Sequence, residues 1–351
     1  MKKKIYVDGY FLAQKVTGVQ RYAREFIENM ISNGYSVVIL APVNASDNIP
    51  GAKTIKSIFF KGLFWQQLIL PFLLITRGFP PLLSLTGIGP VLYPNKALAI
   101  HDASIYRFPT FFSKGYLLFY RTLYPLSIFF SKALITVSEF SKNELQSFIN
   151  VNKKTFVVYN VASILNVSEG PANVGSVPDG KFILAVGSLD ERKNLTSIIK
   201  AFHESSLNGE YQLVVAGGSS SSFKSFNADK SYRNVHFTGY VTDETLAALY
   251  QKACFFAYLS VYEGFGIPPL EALTYRCPVL LSDIPAFREI YGDNFYYVDP
   301  KNIMDIRKGM EEFSKLDRDK LQSKQRDVIG KFSKKNQLLQ INIALNGAFG
   351  E

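Results

Sequence analysis

The stretch VYEGFGIPPLEAL, residues 261–273, carries two carboxylates, Glu263 and Glu271, on either side of two glycines and two prolines. Glycine and proline interrupt regular backbone structure, so residues 261–266 are predicted to form a loop. Proline is tolerated in a first helical turn, so PPLEALTYR is predicted to be a helix with Glu271 in its first turn. A helix N-terminus offers unpaired amides and a partial positive charge, which suits a phosphate. The pattern therefore predicts one carboxylate at sugar hydroxyls and the other at a ribose, with a diphosphate between them.

Paired carboxylates also occur in glycosidases, where they flank one bond at about 5–10 Å. Here both carboxylates belong to a single loop–helix element, which favours the phosphate interpretation. A purely structural alternative stays open, in which Glu271 complements the helix dipole and Glu263 is solvated. The loop between them contributes Gly264, an exposed Phe265 and Gly266 to the predicted donor-binding site.

Two adjacent cations, Arg192 and Lys193, stand in LAVGSLDERKNLTSIIKAF (184–202), which reads as strand, turn and helix. A diphosphate leaving group gains negative charge as its bond breaks, and fixed cations stabilise that charge. No cluster of acidic residues with metal-ligand spacing accompanies them, so these two cations are predicted to replace a metal ion. The structural alternative is an ordinary solvated turn.

Two further positions follow predicted strands in the first half of the chain. His101 comes directly after the strand ALAI, at the carboxyl end where ligands bind in α/β sheets. Its alternative is a structural histidine satisfied by a neighbour. Gly18, in AQKVTGVQRYARE, lies in a loop before a helix, where backbone amides can approach a phosphate or an acceptor.

Short β-branched runs alternate with helical patterns along the whole chain, which indicates βα units around parallel sheets. The 351 residues exceed one ordinary core and fit two domains. Residues 162–180 lose periodicity, and the linker is predicted at 166–180, between a first domain (1–165) and a second (181–333). Two tandem domains of this kind would leave a ligand-binding cleft between them.

Two helices of the first half are predicted from local signals. The most apolar segment, GLFWQQLILPFLLIT (62–76), is shorter than the roughly 20 residues that span a bilayer, so it is predicted to be a buried helix. Ser141 is predicted to open another helix, because Glu144 follows at capping-box spacing.

The excess of basic over acidic residues is confined to the first half of the chain. Residues 1–165 hold 18 Lys and Arg against 7 Asp and Glu, whereas residues 166–351 hold 21 against 22. Cations also alternate with aromatic residues in FPTFFSKGYLLFYRTLYPLSIFFSK (108–132), a mixture that suits an anionic lipid surface. No signature of a nucleic-acid-binding module is present. An anionic membrane surface is therefore the predicted partner, with a solvated basic face as the alternative.

These motifs together resemble the family 4 glycosyltransferases of the GT-B fold, a group that includes many bacterial polysaccharide and lipopolysaccharide sugar transferases. The resemblance covers nearly the whole chain and is strongest over residues 181–300. VGSLDERKNLTSIIKAF resembles the family's phosphate-binding segment, and EGFGIPPLE resembles its paired-glutamate signature. The implied fold is α/β, with two Rossmann-like βαβ domains facing a central cleft and the C-terminal helix (334–349) crossing back to the first domain.

The resemblance also implies roles for individual residues. Glu263 would bind hydroxyls of the transferred sugar, Glu271 the ribose, and Arg192 and Lys193 the diphosphate, while His101 would contact the sugar near the reacting carbon. The family retains anomeric configuration and requires neither metal nor cofactor.

The predicted function is therefore a retaining glycosyltransferase that moves a hexose from a nucleotide diphosphate sugar to a polysaccharide or lipid-linked glycan. GDP-mannose is the favoured donor, with UDP- and dTDP-sugars as alternatives. A non-catalytic nucleotide-sugar or glycolipid binding protein and a nucleotide-sugar 2-epimerase are the alternative functions. Two cysteines without a disulfide framework indicate a cytoplasmic protein. The basic and aromatic first half adds the prediction that it is peripheral on the inner face of the cell membrane.

Overall fold

The computed structural model describes residues 4–46, 48–149, 152–162, 178–188, 190–217 and 232–350. The chain divides into two compact units. The first comprises residues 1–161 together with 332–351, and the second comprises residues 162–331. Of the predicted linker, 166–180, only residues 178–180 lie within the described ranges.

The first unit is built on a seven-stranded sheet in the order β3-β2-β1-β4-β5-β6-β7, and each neighbouring pair is parallel. Its inner strands are continuous apolar runs, as expected for a parallel sheet covered by helices on both faces. The strands are β1 Lys4–Asp8, β2 Ser36–Ala41, β3 Lys53–Lys56, β4 Leu82–Ser84, β5 Lys96–Ala99, β6 Ala133–Thr136 and β7 Thr155–Val157.

Helices connect these strands, as parallel pairing requires. One continuous helical segment consists of α2, a π-helix and α3. The helices of this unit are α1 Gly18–Ser32, α2 Gly62–Phe64, the π-helix Trp65–Ile69, α3 Leu70–Ile75, α4 Ser104–Arg107, α5 Lys114–Phe129 and α6 Glu139–Ile149, with 3-10 turns at Gly9–Ala13 and Pro109–Phe111. Within the described ranges, no helix of either unit is both long enough and apolar enough to cross a bilayer.

The second unit contains a six-stranded parallel sheet in the order β10-β9-β8-β11-β12-β13. Its strands are β8 Phe182–Val186, β9 Gln212–Ala216, β10 Val235–Gly239, β11 Phe255–Tyr258, β12 Val279–Ser282 and β13 Tyr296–Val298. Its helices are α7 Leu195–His203, α8 Asp243–Lys252, α9 Ile267–Thr274, α10 Pro285–Tyr291, α11 Ile303–Phe313 and α12 Arg318–Lys331, with 3-10 turns at Glu191–Lys193 and Ser206–Gly209. Buried aliphatic and aromatic side chains from β8, β9, β11, α7 and α11 form its core.

The last helix, α13 (Lys334–Phe349), belongs to the first unit. It packs against α1, where the Asn29 side-chain amide donates to the Gln337 side-chain oxygen at 3.0 Å and to the Lys334 carbonyl at 2.8 Å. The amide is buried, so these hydrogen bonds satisfy a group that would otherwise be costly to desolvate. They hold α13 against α1 within the first unit.

Two helix predictions in the first unit are wrong in part. The segment 62–76 is helical, but only one of its sides is buried: Trp65, Leu70 and Leu74 are in the core, whereas its other side is exposed. Apolar composition alone does not distinguish a fully buried helix from one with an exposed apolar side. The helix predicted to open at Ser141 begins at Glu139, because the Ser138 hydroxyl accepts a hydrogen bond from the Ser141 backbone N–H at 2.9 Å.

Candidate functional site

The second unit has a topological switch point between β8 and β11, where the strand order reverses direction. Loops that follow such strands diverge and leave a crevice at the carboxyl edge of the sheet, which is where ligands bind in α/β proteins. The loop after β8 carries Arg192 and Lys193, and the loop after β11 carries Glu263. The sheet order therefore brings together two motifs that are 70 residues apart in the sequence.

In the loop after β8, residues 190–194 form a turn. The Asp190 carboxylate accepts a hydrogen bond from the Arg192 backbone N–H at 2.9 Å and lies 3.7 Å from the Arg192 side-chain Nε. Asn194 closes the turn in the left-handed region, with φ 57°, a conformation that asparagine tolerates better than most residues. This backbone reversal allows α7 to begin at Leu195, directly after Asn194.

Three hydrogen bonds hold that turn to the ends of neighbouring strands. The buried Asn194 side-chain amide donates to the Leu259 carbonyl at 3.0 Å and to the Pro300 carbonyl at 2.7 Å. The Val261 backbone N–H donates to the Arg192 carbonyl at 2.9 Å. The cationic turn and the glutamate loop are thus positioned by backbone groups rather than by mobile side chains alone.

Lys193, Glu263 and Tyr258 form a compact polar cluster at this edge. The Lys193 ammonium donates to Glu263 Oε1 at 2.6 Å and to the Tyr258 hydroxyl oxygen at 2.8 Å. The Tyr258 hydroxyl in turn donates to Glu263 Oε1 at 2.9 Å. Each member contacts the other two, so the position of each polar atom is fixed by two partners.

The electrostatics of the cluster keep Glu263 ionised. Burial by itself would raise the pKa of this carboxyl, but the charges of Lys193 and Arg192 outweigh burial and hold its pKa below the usual range. Burial and the adjacent Glu263 carboxylate raise the pKa of Tyr258 well above its usual value, so its hydroxyl stays protonated. At neutral pH Glu263 is therefore a carboxylate and the Tyr258 hydroxyl is neutral.

The glycine loop after Glu263 has a conformation that only glycine adopts readily. Gly266 is the N-cap of α9 with φ 94°, and a Cβ there would lie 2.6 Å from the Phe287 ring. The hydroxyl of Tyr291, in α10, donates to the Gly266 carbonyl at 2.6 Å and holds the loop against that helix. Phe265 was predicted to be exposed and is buried instead, because this loop folds back onto the core.

The N-terminus of α9 differs from the prediction in one respect. The helix begins at Ile267, so Glu271 lies in its second turn rather than its first. Glu271 is buried, and the Tyr250 hydroxyl, which is also buried, contacts its Oε2 at 3.5 Å. Pro268 and Pro269 lack N–H groups, so the amide donors at this helix start come mainly from the preceding glycine loop.

The remaining two candidates lie in the first unit. His101 follows β5, and its Nε2 donates to the Leu85 carbonyl, which follows β4, at 3.0 Å. Burial lowers the pKa of His101, so the ring is neutral near pH 7 and Nδ1 is its acceptor nitrogen. The ring packs edge-on against Tyr22 of α1 with centroids 4.7 Å apart. The prediction that Gly18 lies in the loop before that helix is wrong by one residue, since Gly18 is its first residue and Thr17 is the N-cap.

Two residues of this site escaped the sequence analysis. Tyr258 and Tyr250 each stand in an apolar context, and each hydroxyl contacts one of the two glutamates. A tyrosine in a buried run is a usable signal, because its hydroxyl needs a partner once it is desolvated. The partner itself could not be named without the strand order. Among the described residues there is no group of three or more His, Cys, Asp and Glu side chains arranged to hold a metal ion.

Comparison with known proteins agrees with this chemistry. The sequence profile of a family described as glycosyl transferases group 1 matches residues 168–336. The O-antigen chain mannosyltransferase RfbU of Salmonella typhimurium is 30% identical over 273 residues, which are 76% of this chain and 73% of the relative. The O-antigen chain mannosyltransferase B of Escherichia coli is 29% identical over 239 residues, 61% of each protein.

The fold also matches solved structures. Sucrose-phosphate synthase from Thermosynechococcus elongatus superposes with a TM-score of 0.76 over 98% of each chain, at 15% identity. Both units of this chain are parallel Rossmann-like sheets covered by helices, and the fold is GT-B. The chain belongs to the group 1 glycosyltransferases and is a sugar-transferring enzyme of the bacterial polysaccharide type that acts on a glycan acceptor.

Proposed function

We propose that the enzyme moves mannose from GDP-mannose to a growing polysaccharide or lipid-linked glycan, with retention of anomeric configuration and without a metal ion. The observation that carries the donor assignment is the cluster of Lys193, Glu263 and Tyr258 at the switch point of the second sheet. Transfer of mannose is supported by two relatives, both of which are named as mannosyltransferases. The guanosine nucleotide is part of the proposal.

The cluster suits a departing diphosphate. An ammonium has three N–H donors, and the contacts of the described residues account for two of those of Lys193. The third N–H would bind a diphosphate oxygen, and Arg192 in the same turn would add a second positive charge. Fixed cations of this kind stabilise negative charge as it develops on the leaving group, because they need no reorganisation during the reaction.

The other residues would divide the rest of the substrate among them. Glu263 would accept hydrogen bonds from hydroxyls of the transferred sugar, and Glu271 would accept them from the ribose. Backbone amides of the loop Gly264–Gly266 would bind the diphosphate, while the side chain of Phe265 in the same loop is buried. In the first unit, His101 would contact the sugar near the reacting carbon, and Gly18 would bring backbone amides toward the substrate.

A thermal-shift titration tests the donor assignment. A ligand at 100 times its dissociation constant stabilises the folded protein by about 2.7 kcal/mol. We expect GDP and GDP-mannose to raise the unfolding temperature more than UDP, dTDP and their sugars, equally with and without a chelator. A larger shift with a uridine or thymidine nucleotide would reassign the base, and loss of the shift in chelator would contradict metal-independent binding.

Tyr258→Phe tests the role of the tyrosine as a positioning residue. The variant removes the hydroxyl that accepts from Lys193 and donates to Glu263, and each lost hydrogen bond typically contributes about 0.5–1.5 kcal/mol. We expect kcat to fall about tenfold for a loss near the upper end of that range, while the dissociation constant for GDP hardly changes. Tyr275→Phe, on the ring stacked against Tyr250, is the control. A change in GDP affinity alone would contradict the positioning role.

We also propose that the enzyme works in the cytoplasm, on the inner face of the cell membrane, with anionic lipid rather than nucleic acid as the partner of its basic first half. Electrostatic attraction of this kind weakens with salt, because the Debye length shortens from about 10 Å at 0.1 M to about 3 Å at 1 M. We expect binding to phosphatidylglycerol-containing vesicles to weaken as salt rises, and binding to pure phosphatidylcholine to be weak throughout. Equal binding to both vesicle types would contradict this partnership.

A further inference from the structure

Two helical segments of the first unit, 62–75 and α5, expose apolar side chains along one side. In the first, Phe64, Leu68, Phe72 and Ile75 are spaced by four, four and three residues, which is the spacing of neighbours along one side of a helix. In α5, Leu118, Leu126 and Phe129 follow the same spacing, with Thr122 between them. Their opposite sides supply the core residues Trp65, Leu70, Leu74 and Ile128.

Strand register places both helical segments on the same face of the sheet. Leu82 packs with the 62–75 segment, and Leu98 and Leu134 pack with Ile128 of α5. Side chains two apart in a strand share a face, so Leu82 and Ser84 point the same way. Ser84 is the register partner of Leu98, and Leu98 is the partner of Leu134. All of these side chains therefore point toward one face.

The loop 88–92, which lies between β4 and β5, contacts both helical segments. The Gln67 side chain donates to the Gly89 carbonyl at 2.7 Å and accepts from the Val91 backbone N–H at 2.9 Å. The Ser127 hydroxyl of α5 donates to the Ile88 carbonyl of the same loop. Leu92, at the end of the loop, is highly exposed. Both segments thus contact one loop, and their exposed apolar residues form a surface on the same side of the first sheet.

A strained turn extends this surface. Ile58, Phe59 and Phe60 are exposed before the first helical segment, and the Phe60 ring lies 5.1 Å from that of Phe64. Phe60 has φ 68°, which a bulky residue adopts only at a cost. We call the exposed residues of 58–75, Leu92 and the exposed residues of α5 the apolar face.

The charges around the apolar face select one kind of partner. Residues 48–138 contain nine Lys and Arg and a single acidic residue, Asp102. Lys61 is exposed beside the first helical segment, and Lys114 is exposed at the start of α5. Large exposed apolar patches on soluble domains mark interaction sites. An apolar surface with cations at its border complements a bilayer whose headgroups are anionic.

We propose that the apolar face inserts into an anionic phospholipid bilayer, with its phenylalanine and leucine side chains at the boundary between headgroups and acyl chains. This inference rests on the proposed membrane partnership and adds the surface and the mode of contact. The helices would lie in the plane of the membrane, about 5–10 Å deep, as amphipathic helices do. Insertion differs from charge attraction alone, because apolar contact persists after salt has screened the charges.

Insertion can be detected at one position of the apolar face. Phe72→Trp adds an exposed indole to a chain with one other tryptophan, Trp65, which is buried. We expect its fluorescence to be quenched by phosphatidylglycerol vesicles whose acyl chains carry bromine. Leu339→Trp is the matched control, because Leu339 is exposed on α13, which packs on the opposite face of the same sheet through Phe156. Its fluorescence is expected to be unchanged.

A pair of double variants measures the contribution of the face. The first double variant is Leu68→Ser/Phe72→Ser, whose side chains are 55% and 63% exposed. The second, Leu339→Ser/Ile343→Ser, removes side chains that are 55% and 62% exposed. Both remove two apolar side chains spaced by four residues. We expect the first to lower vesicle affinity about tenfold or more and the second to leave it unchanged. Thermal unfolding and GDP binding should match the wild type in both, since all four side chains are exposed.

The outcomes separate this inference from the proposals on which it rests. Salt-sensitive vesicle binding without bromine quenching would refute insertion and leave charge attraction in place. Absence of vesicle binding, with sugar transfer intact, would refute the membrane partnership and this inference together. If the wild type forms a dimer that Leu68→Ser/Phe72→Ser dissociates, a second copy covers the face and the inference is wrong.

Discussion

Replacement of Lys193 by alanine is expected to lower kcat on the order of 10²–10³-fold, the typical effect of removing one group that stabilises developing negative charge. The dissociation constant for the nucleoside should change little, because the lysine is proposed to act on the departing diphosphate. Lys200→Ala is a matched control, since Lys200 is an exposed cation on α7, the helix that follows the same turn. Initial rates with the full donor, measured in chelator, give the comparison.

The same variant should change the pH dependence of the reaction. In the wild type the pKa of Glu263 lies below its usual range, so the carboxylate is ionised at neutral pH and loses its charge only as the pH falls through that depressed value. Without Lys193, burial raises the pKa of Glu263, and the acidic limb of kcat/KM should move to higher pH. An unchanged acidic limb together with full activity in chelator would contradict the role of this ion pair.

The two glutamates are expected to respond differently to replacement by glutamine. Glu263→Gln should reduce turnover and hardly alter GDP affinity, because Glu263 is proposed to contact the transferred sugar. Glu271→Gln should weaken GDP binding itself, because a hydrogen bond to a charged group contributes about 1.5–3 kcal/mol, or about 10- to 150-fold in affinity. Calorimetry with GDP and initial rates with the donor separate the two effects.

Glu204→Gln provides the control for both variants, since Glu204 is an exposed carboxylate at the end of α7. Each glutamate is buried beside a tyrosine hydroxyl, Tyr258 for Glu263 and Tyr250 for Glu271, and glutamine keeps the shape and an acceptor oxygen. Misfolding is therefore not expected to explain a loss. Equal loss of GDP affinity in both variants, or in neither, would refute the proposed division of roles.

The fold and the family could be predicted from the sequence because their signals are local. Alternating apolar runs and helical patterns indicate parallel α/β units, and the prediction of a GT-B glycosyltransferase is confirmed. Each βα unit carries its own periodicity, so its identity does not depend on distant residues. The exposure of one side of helix 62–75 could not be predicted in this way, because composition does not tell whether an apolar side chain contacts the core or lies at the surface.

The site could be predicted only in pieces. Lys193 and Glu263 were assigned to separate motifs, and their direct contact depends on β8 and β11 being neighbours. Tyr258 was missed for the same reason, because its partners come from two different loops. Phe265 was predicted to be exposed and Glu271 to lie in the first turn of its helix. Both predictions failed because the direction of a glycine loop and the first residue of a helix depend on tertiary contacts, such as that of Tyr291 with Gly266. The roles of the site residues in catalysis are predictions.

The most direct test of the account is a transfer assay with the purified enzyme, GDP-mannose labelled in the sugar and a lipid-linked glycan acceptor, in the presence of chelator. The account predicts that labelled mannose appears in the glycan in an amount equal to the GDP released, and that nuclear magnetic resonance shows the same anomeric configuration as in the donor. Transfer with inverted configuration, or GDP release without glycan labelling, would contradict it.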